Sequence, residues 1–168
     1  MRDGGKRDWW RVAWNKMNIP KHNFIYWLAM HGRLQTKGRL VEMGICQDNL
    51  CCLCGSCPET IEYLYFDCIF SRTCLEMILQ WLKIKVNNTE MAGMWKRMAR
   101  WARGKISRGV IWAVLAALVY QIWNARNGTC WSQAVPSPLV VIKQIKGESK
   151  IRVFDILHRK QDVKIGNG

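Results

Sequence analysis

Five of the chain's eight cysteines fall within the stretch Cys51–Cys68, which reads Cys-Cys-Leu-Cys-Gly-Ser-Cys-Pro-Glu-Thr-Ile-Glu-Tyr-Leu-Tyr-Phe-Asp-Cys. Cys51 and Cys54 form a C-x-x-C pair, a spacing that brings two thiolates to one tetrahedral ion from a single tight turn, with Gly55 available for the bend. Cys68 lies far enough downstream to return after a short loop and close a third corner. The stretch holds no histidine, so its fourth corner is open to question. Whatever this chain folds into has to be built around that loop.

The remaining cysteines fit the same reading. Seven of the eight lie between Cys46 and Cys74, and Cys130 stands apart. The first residues, Met-Arg-Asp-Gly-Gly-Lys-Arg-Asp, do not make a signal peptide. Clustering without such a signal favours metal over disulfides. It points to an intracellular setting and does not choose between nucleus and cytoplasm. Cys46, Cys74 and Cys130 read as ordinary buried small residues.

At 168 residues the chain has room for one sizeable core. Ten tryptophans predict heavy aromatic burial. The net charge of +14 is unevenly spread, with residues 51–82 mildly acidic and residues 83–108 strongly basic. Such a balance suits a phosphate-rich partner, although basic helix faces are also commonly just solvated.

Along the chain the periodicity is mostly helical. Trp9, Trp10, Ala13, Trp14 and Met17 share one face, and Asn18-Ile19-Pro20 ends that segment. A second helix is predicted over residues 21–34. Thr36 would cap a short one stopped by Gly44, and Ser71 another, with Cys74, Leu75, Ile78, Leu79 and Leu82 on its inner face. The thin strand signal is confined to Ile61–Phe66. Asn87-Asn88-Thr89 reads as a linker. A basic amphipathic helix follows, with Met94, Trp95, Met98 and Trp101 set against Lys96, Arg97, Arg100 and Arg103. Gly104 and Gly109 interrupt it before the apolar run Val110–Trp123, which is too short to span a bilayer and reads as a buried helix. Asn127-Gly128 supplies a stop, and a last helix over 139–158 is weakened by Gly147.

Trp14, Ile19-Pro20-Lys21, Phe24, Trp27-Leu28-Ala29, His31-Gly32-Arg33-Leu34, Thr36 and Leu40 stand in the order found in a known family. Gly44-Ile45, Cys51-x-x-Cys54-Gly55, Glu59-Thr60, Leu64-x-Phe66 and Cys68 continue that order. Together they resemble the zinc-binding domain of reverse transcriptases in plant LINE-type, non-LTR retrotransposons. Ile122-Trp123-Asn124-Ala125-Arg126-Asn127 resembles the Trp-x-x-Arg-Asn segment that often follows it. The resemblance implies a mainly α fold: a small helical domain over residues 9–82 around a cysteine-rich zinc-knuckle loop, then a helical extension over 90–160 packed on it. It also implies Cys51, Cys54 and Cys68 as zinc ligands, with Tyr63 where the family has histidine. A phenol with a pKa of about 10 is a poor substitute for imidazole. Three outcomes stay open: Cys57 as fourth ligand in a four-cysteine site, water on a weak three-cysteine site, or a decayed site with free thiols. His22, His31 and His158 read as packing or surface residues.

Polymerase chemistry needs paired carboxylates to hold two metal ions. The chain has no Asp-Asp pair, no Walker loop and no nucleophile elbow. It reads as a non-enzymatic, retroelement-derived module that meets RNA or DNA through Lys96, Arg97, Arg100, Arg103, Lys105 and Arg108, without membrane insertion. The competing readings are a decayed or domesticated fragment that acts through protein contacts, and a basic amphipathic protein of the membrane surface.

Overall fold

Pro20 opens the first helix among the residues that the computed structural model describes, 15–84 and 104–165. Its fixed φ and missing N–H suit a first turn, where no intrahelical partner is needed. Helix α1 (Pro20–Met30) ends at His31, sooner than the periodicity predicts. Thr36 then caps α2 (Lys37–Glu42), its hydroxyl accepting from the Arg39 N–H. A π-helical turn (Tyr63–Asp67), α3 (Ile69–Trp81), α4 (Lys105–Ser132) and α5 (Pro138–Ile165) complete the order. No strand occurs among the described residues; a single antiparallel bridge joins Leu50 to Pro58 across the cysteine loop. The segment with the strand signal, Ile61–Phe66, is helical instead. The Thr60 hydroxyl accepts the Tyr63 N–H and starts it, while Leu64 and Tyr65 turn inward.

The mainly α fold is as the sequence predicts, but its last two helices are longer and less broken. Gly109 does not interrupt α4: it lies buried inside the helix, and its carbonyl accepts from the Asn15 amide at 2.6 Å. Nor does Asn127-Gly128 stop it. The helix continues to Ser132, with Thr129 hydrogen-bonded back to the Ala125 carbonyl, and ends at Gln133 in a left-handed conformation. Gly147 leaves α5 unbroken. The segment with Trp9, Trp10 and Trp14, the linker at Asn87 and the basic helix around Lys96 lie outside the described residues.

One core unites both predicted parts. Tyr26 and Ala29 of α1 and Leu75, Ile78 and Leu79 of α3 meet Ile111, Leu115, Leu118 and Ile122 of α4 and Val141 and Ile145 of α5. Aliphatic side chains make up most of it, with Tyr26, Tyr65 and Phe70, while Trp81, Trp112 and Trp123 pack against its edge. No described tryptophan is fully buried, and Trp131 is 89% exposed. Instead the faces of Trp27, Trp81 and Trp123 carry Arg33, Lys146 and Arg126 respectively. Helix α4 is long and apolar enough to cross a membrane by composition, and most of that window is buried inside the protein.

A second tie runs through Glu148 on α5, which meets Lys21 at 3.1 Å, accepts from Gln121 Nε2 at 2.9 Å and lies 3.2 Å from His22 Nε2. His22 is buried against the Tyr120 ring. Burial holds its imidazole neutral, with a pKa down to about 4, against the opposing pull of Glu148. The unfolded chain takes up this proton near pH 6.5 and the folded chain only near 4, so acid favours unfolding across that window. The contribution of His22 should be complete above about pH 6.5, with about 3 kcal/mol lost by pH 4. Urea midpoints should therefore fall less steeply between pH 7 and 4.5 in His22→Gln than in the parent.

Cys52 and Cys130 form a disulfide across 78 residues, their Cα atoms 5.6 Å apart. This corrects the expectation of metal over disulfides for the whole set, and of Cys130 as a plain packing residue. The unbroken C-terminal turns of α4 carry Cys130 to the cysteine loop, a proximity that a helix stop at residue 128 would have prevented. The other six cysteines are free. Denatured, metal-stripped, non-reduced protein should give six reactive thiols and Cys130→Ser seven, with a stability loss of about 2–4 kcal/mol in that variant.

Candidate metal centre

The C-x-x-C turn closes as its spacing predicts. The Gly55 N–H donates to the Cys51 carbonyl at 2.8 Å with Gly55 at φ +65°, a conformation that residues with a Cβ seldom adopt. Cys51 is buried and Cys54 partly exposed. The third sulfur arrives through the π-helical turn, whose wide hydrogen bond from the Cys68 N–H to the Tyr63 carbonyl spans 2.8 Å. Cys68 is the residue before α3, in extended conformation, where Ser71 was expected. Ser71 lies buried inside the helix.

The sulfurs of Cys51, Cys54 and Cys68 all lie within 4.8 Å of one another, and those of Cys51 and Cys68 are 3.9 Å apart. Sulfurs bound at about 2.3 Å in a tetrahedron around zinc stand roughly 3.8 Å apart, so the buried pair already has the spacing of one edge. Cys51 donates its S–H to Cys68, which lowers the Cys68 pKa to about 6 and raises that of Cys51. Backbone N–H groups of Ser71 and Phe70, at the positive start of α3, further favour the Cys68 thiolate. The N–H groups of Cys54 and Leu53 favour charge on Cys51. These are donor sets suited to sulfur that carries negative charge, as metal-bound thiolate does. The three residues fit a zinc ion.

The fourth corner is contested. The Tyr63 hydroxyl lies 3.2 Å from Cys54 Sγ, so the residue at the family's histidine position does point at the group. Cys54, burial and then Cys57 keep that phenol protonated, raising its pKa. Cys57 is exposed and does not belong to the three-sulfur group. Its carbonyl accepts the Cys51 N–H at 2.9 Å. None of the three histidines joins the cluster. His22 packs under α5, His31 bonds the Trp27 carbonyl, and His158 stacks on Phe154.

Glu59 organises the loop from beneath. It is fully buried, and its Oε1 accepts from the Lys37 N–H at 2.8 Å and from Arg126 Nε and Nη2 at 2.9 and 2.7 Å. Its Oε2 accepts the Cys52 N–H at 3.3 Å. The start of α2 presses close: a Cβ on Gly38 would stand 2.9 Å from the Glu59 carbonyl oxygen. The resemblance had marked both Glu59 and Arg126 without joining them. No spacing rule pairs residues so far apart.

Residues 1–74 match the family model described as zinc-binding in reverse transcriptase. No curated protein and no solved structure matches the chain. The family match supports a reverse transcriptase zinc-binding domain, and the sulfur geometry falls within it. The match ends inside α3, so Arg126 and Cys130 lie beyond it.

Of the proposed nucleic-acid contacts, Lys96, Arg97, Arg100 and Arg103 lie outside the described residues. Lys105 opens α4, and Arg108 is exposed one turn on.

Removing one partner of a buried ion pair leaves the other charge without compensation. Glu59→Gln should therefore destabilise the fold by about 3–5 kcal/mol. An exposed-pair control at Lys37→Met, which removes the contact to Asp48, should cost far less. Chemical denaturation of the two variants checks the contrast.

Proposed function

We propose that this chain is a zinc-binding module derived from a retroelement of the plant LINE type, which holds its ion through Cys51, Cys54 and Cys68 and lacks polymerase activity. The observation that carries the reading is the three-sulfur group, formed inside the segment that matches the zinc-binding family. Cys57 is the protein's own candidate for the fourth ligand, since it lies in the same loop and its carbonyl already accepts the N–H of Cys51. Held by Cys51, Cys54 and Cys68 as thiolates, a zinc ion would supply structure, tying the knuckle turn to the start of α3.

Nucleic acid is the proposed partner. The charge of +14 supports it, concentrated in the segment before and at the start of α4 that carries Lys96, Arg97, Arg100, Arg103, Lys105 and Arg108. A second reading, a decayed fragment without metal, is favoured by one contact. Tyr63 fills the histidine position and bonds Cys54 in a way that leaves no imidazole for the ion.

Elemental analysis of purified protein separates the two. The zinc reading expects about one ion per chain, lost in Cys57→Ser. Absence of zinc in the parent, with uptake restored by Tyr63→His, would establish the decayed site. For the partner, affinity for single-stranded RNA should fall as salt rises, with a log–log slope of about −0.7 per phosphate contact. Arg97→Ala/Arg100→Ala should flatten that slope by about 1.4. Salt-independent binding, or none, would end the nucleic-acid proposal.

A further inference from the structure

The cysteine loop is held from a part of the chain that the family match does not reach. Cys52, next to the ligand Cys51, is fixed twice: its N–H donates to Glu59 Oε2, and its sulfur is bonded to Cys130. Glu59 is fixed in turn by Arg126, whose Nε and Nη2 both point at Oε1. Arg126 and Cys130 are four residues apart on α4, hence on one face and one turn from each other. Arg126 is itself braced, with Nη1 on the Asn127 side chain and its guanidinium over the Trp123 ring. The Glu59 backbone also accepts from Gly38 and donates to Asn49, so its carboxylate cannot swing freely without disturbing both ends of the loop.

We infer that the last turns of α4 form the frame of the metal centre, with Arg126 and Cys130 as positioning residues that set the Cys51–Cys54 turn through Glu59 and Cys52. Neither belongs to the three-sulfur group. They act on it only through the residues on which the loop hangs. Metal affinity then depends on side chains 67 and 78 residues beyond their partners. This rests on the zinc reading above, and its test is arranged so that the two fail separately.

The full chain is titrated with Co²⁺ and then competed with Zn²⁺, in the parent, Arg126→Gln, Arg126→Lys, Cys130→Ser and a surface control, Lys143→Ala. Thiolate-to-cobalt absorption reports the geometry of the sulfurs, and circular dichroism reports whether each variant is folded. Arg126→Gln should weaken zinc binding about 10- to 100-fold and alter the cobalt spectrum, with Arg126→Lys recovering part of the loss. Cys130→Ser, which keeps the ion pair, should weaken binding by a smaller factor and remain folded. It carries the comparison if Arg126→Gln unfolds. Parent-like affinity and spectrum in folded variants would overturn the inference.

A parent that takes up neither ion would overturn the zinc reading instead. The frame is then read without metal, by mass spectrometry of iodoacetamide-treated protein. Cys51 and Cys68 are buried and should react slowly in the parent and several-fold faster in Cys130→Ser. Equal rates would sink the inference in that case too.

Discussion

A carboxylate with no exposure to water needs a reason to be charged, and Glu59 finds it in Arg126. Moving such an ion out of water costs several kcal/mol, which a single contact seldom returns. Here the two side chains meet through two N–H groups, and the remaining lone pairs take backbone N–H groups from α2 and from the cysteine loop. Four N–H donors around one carboxylate turn a costly pair into a specific one. An apolar pair of the same volume would pack as well, yet it could not fix which backbone N–H groups of two separate segments end up beside α4. Helix α2, the loop and α4 share one register because of it.

The candidate metal centre is assembled with equally few parts. A tight turn supplies two sulfurs, and the start of a helix supplies the third together with N–H groups that favour its negative charge. The π-helical turn joins them by spending one extra residue between Tyr63 and Cys68, which aims the phenol and the third thiol at one place. Such widened turns commonly mark sites where a helix serves chemistry before regularity. Tyr63 is then both the departure from the family pattern and the residue that this geometry presents most directly to Cys54.

Local features were legible in the sequence where their cause is local. The C-x-x-C turn, the bend at Gly55, the Thr36 cap and the inner face of α3 each follow from residues within a few positions of one another. Of the histidines, His22 is a buried packing residue and His31 and His158 lie at the surface, the roles such isolated residues usually take. What the sequence did not disclose is tertiary. Asn127-Gly128 reads as a stop by propensity, but Arg126 and Cys130 are anchored on either side of it and carry the helix through. Ile61–Phe66 looks like a strand by its aromatics, but Thr60 nucleates a helix there. Ser71 resembles a cap by type, although Cys68 already occupies that position. The disulfide had no signal beyond a cysteine standing apart, since pairing across 78 residues depends on where α4 lies.

The long separation has a consequence for how the protein comes together. Glu59 and Cys52 wait for partners that emerge 67 and 78 residues later. Local helices form in microseconds, whereas contacts this distant must first overcome the entropy of closing a long loop. The cysteine turn is thus an early structure with a late foundation. During synthesis on the ribosome, thiols and a carboxylate stand in water until α4 arrives, and only then does the interior close over them.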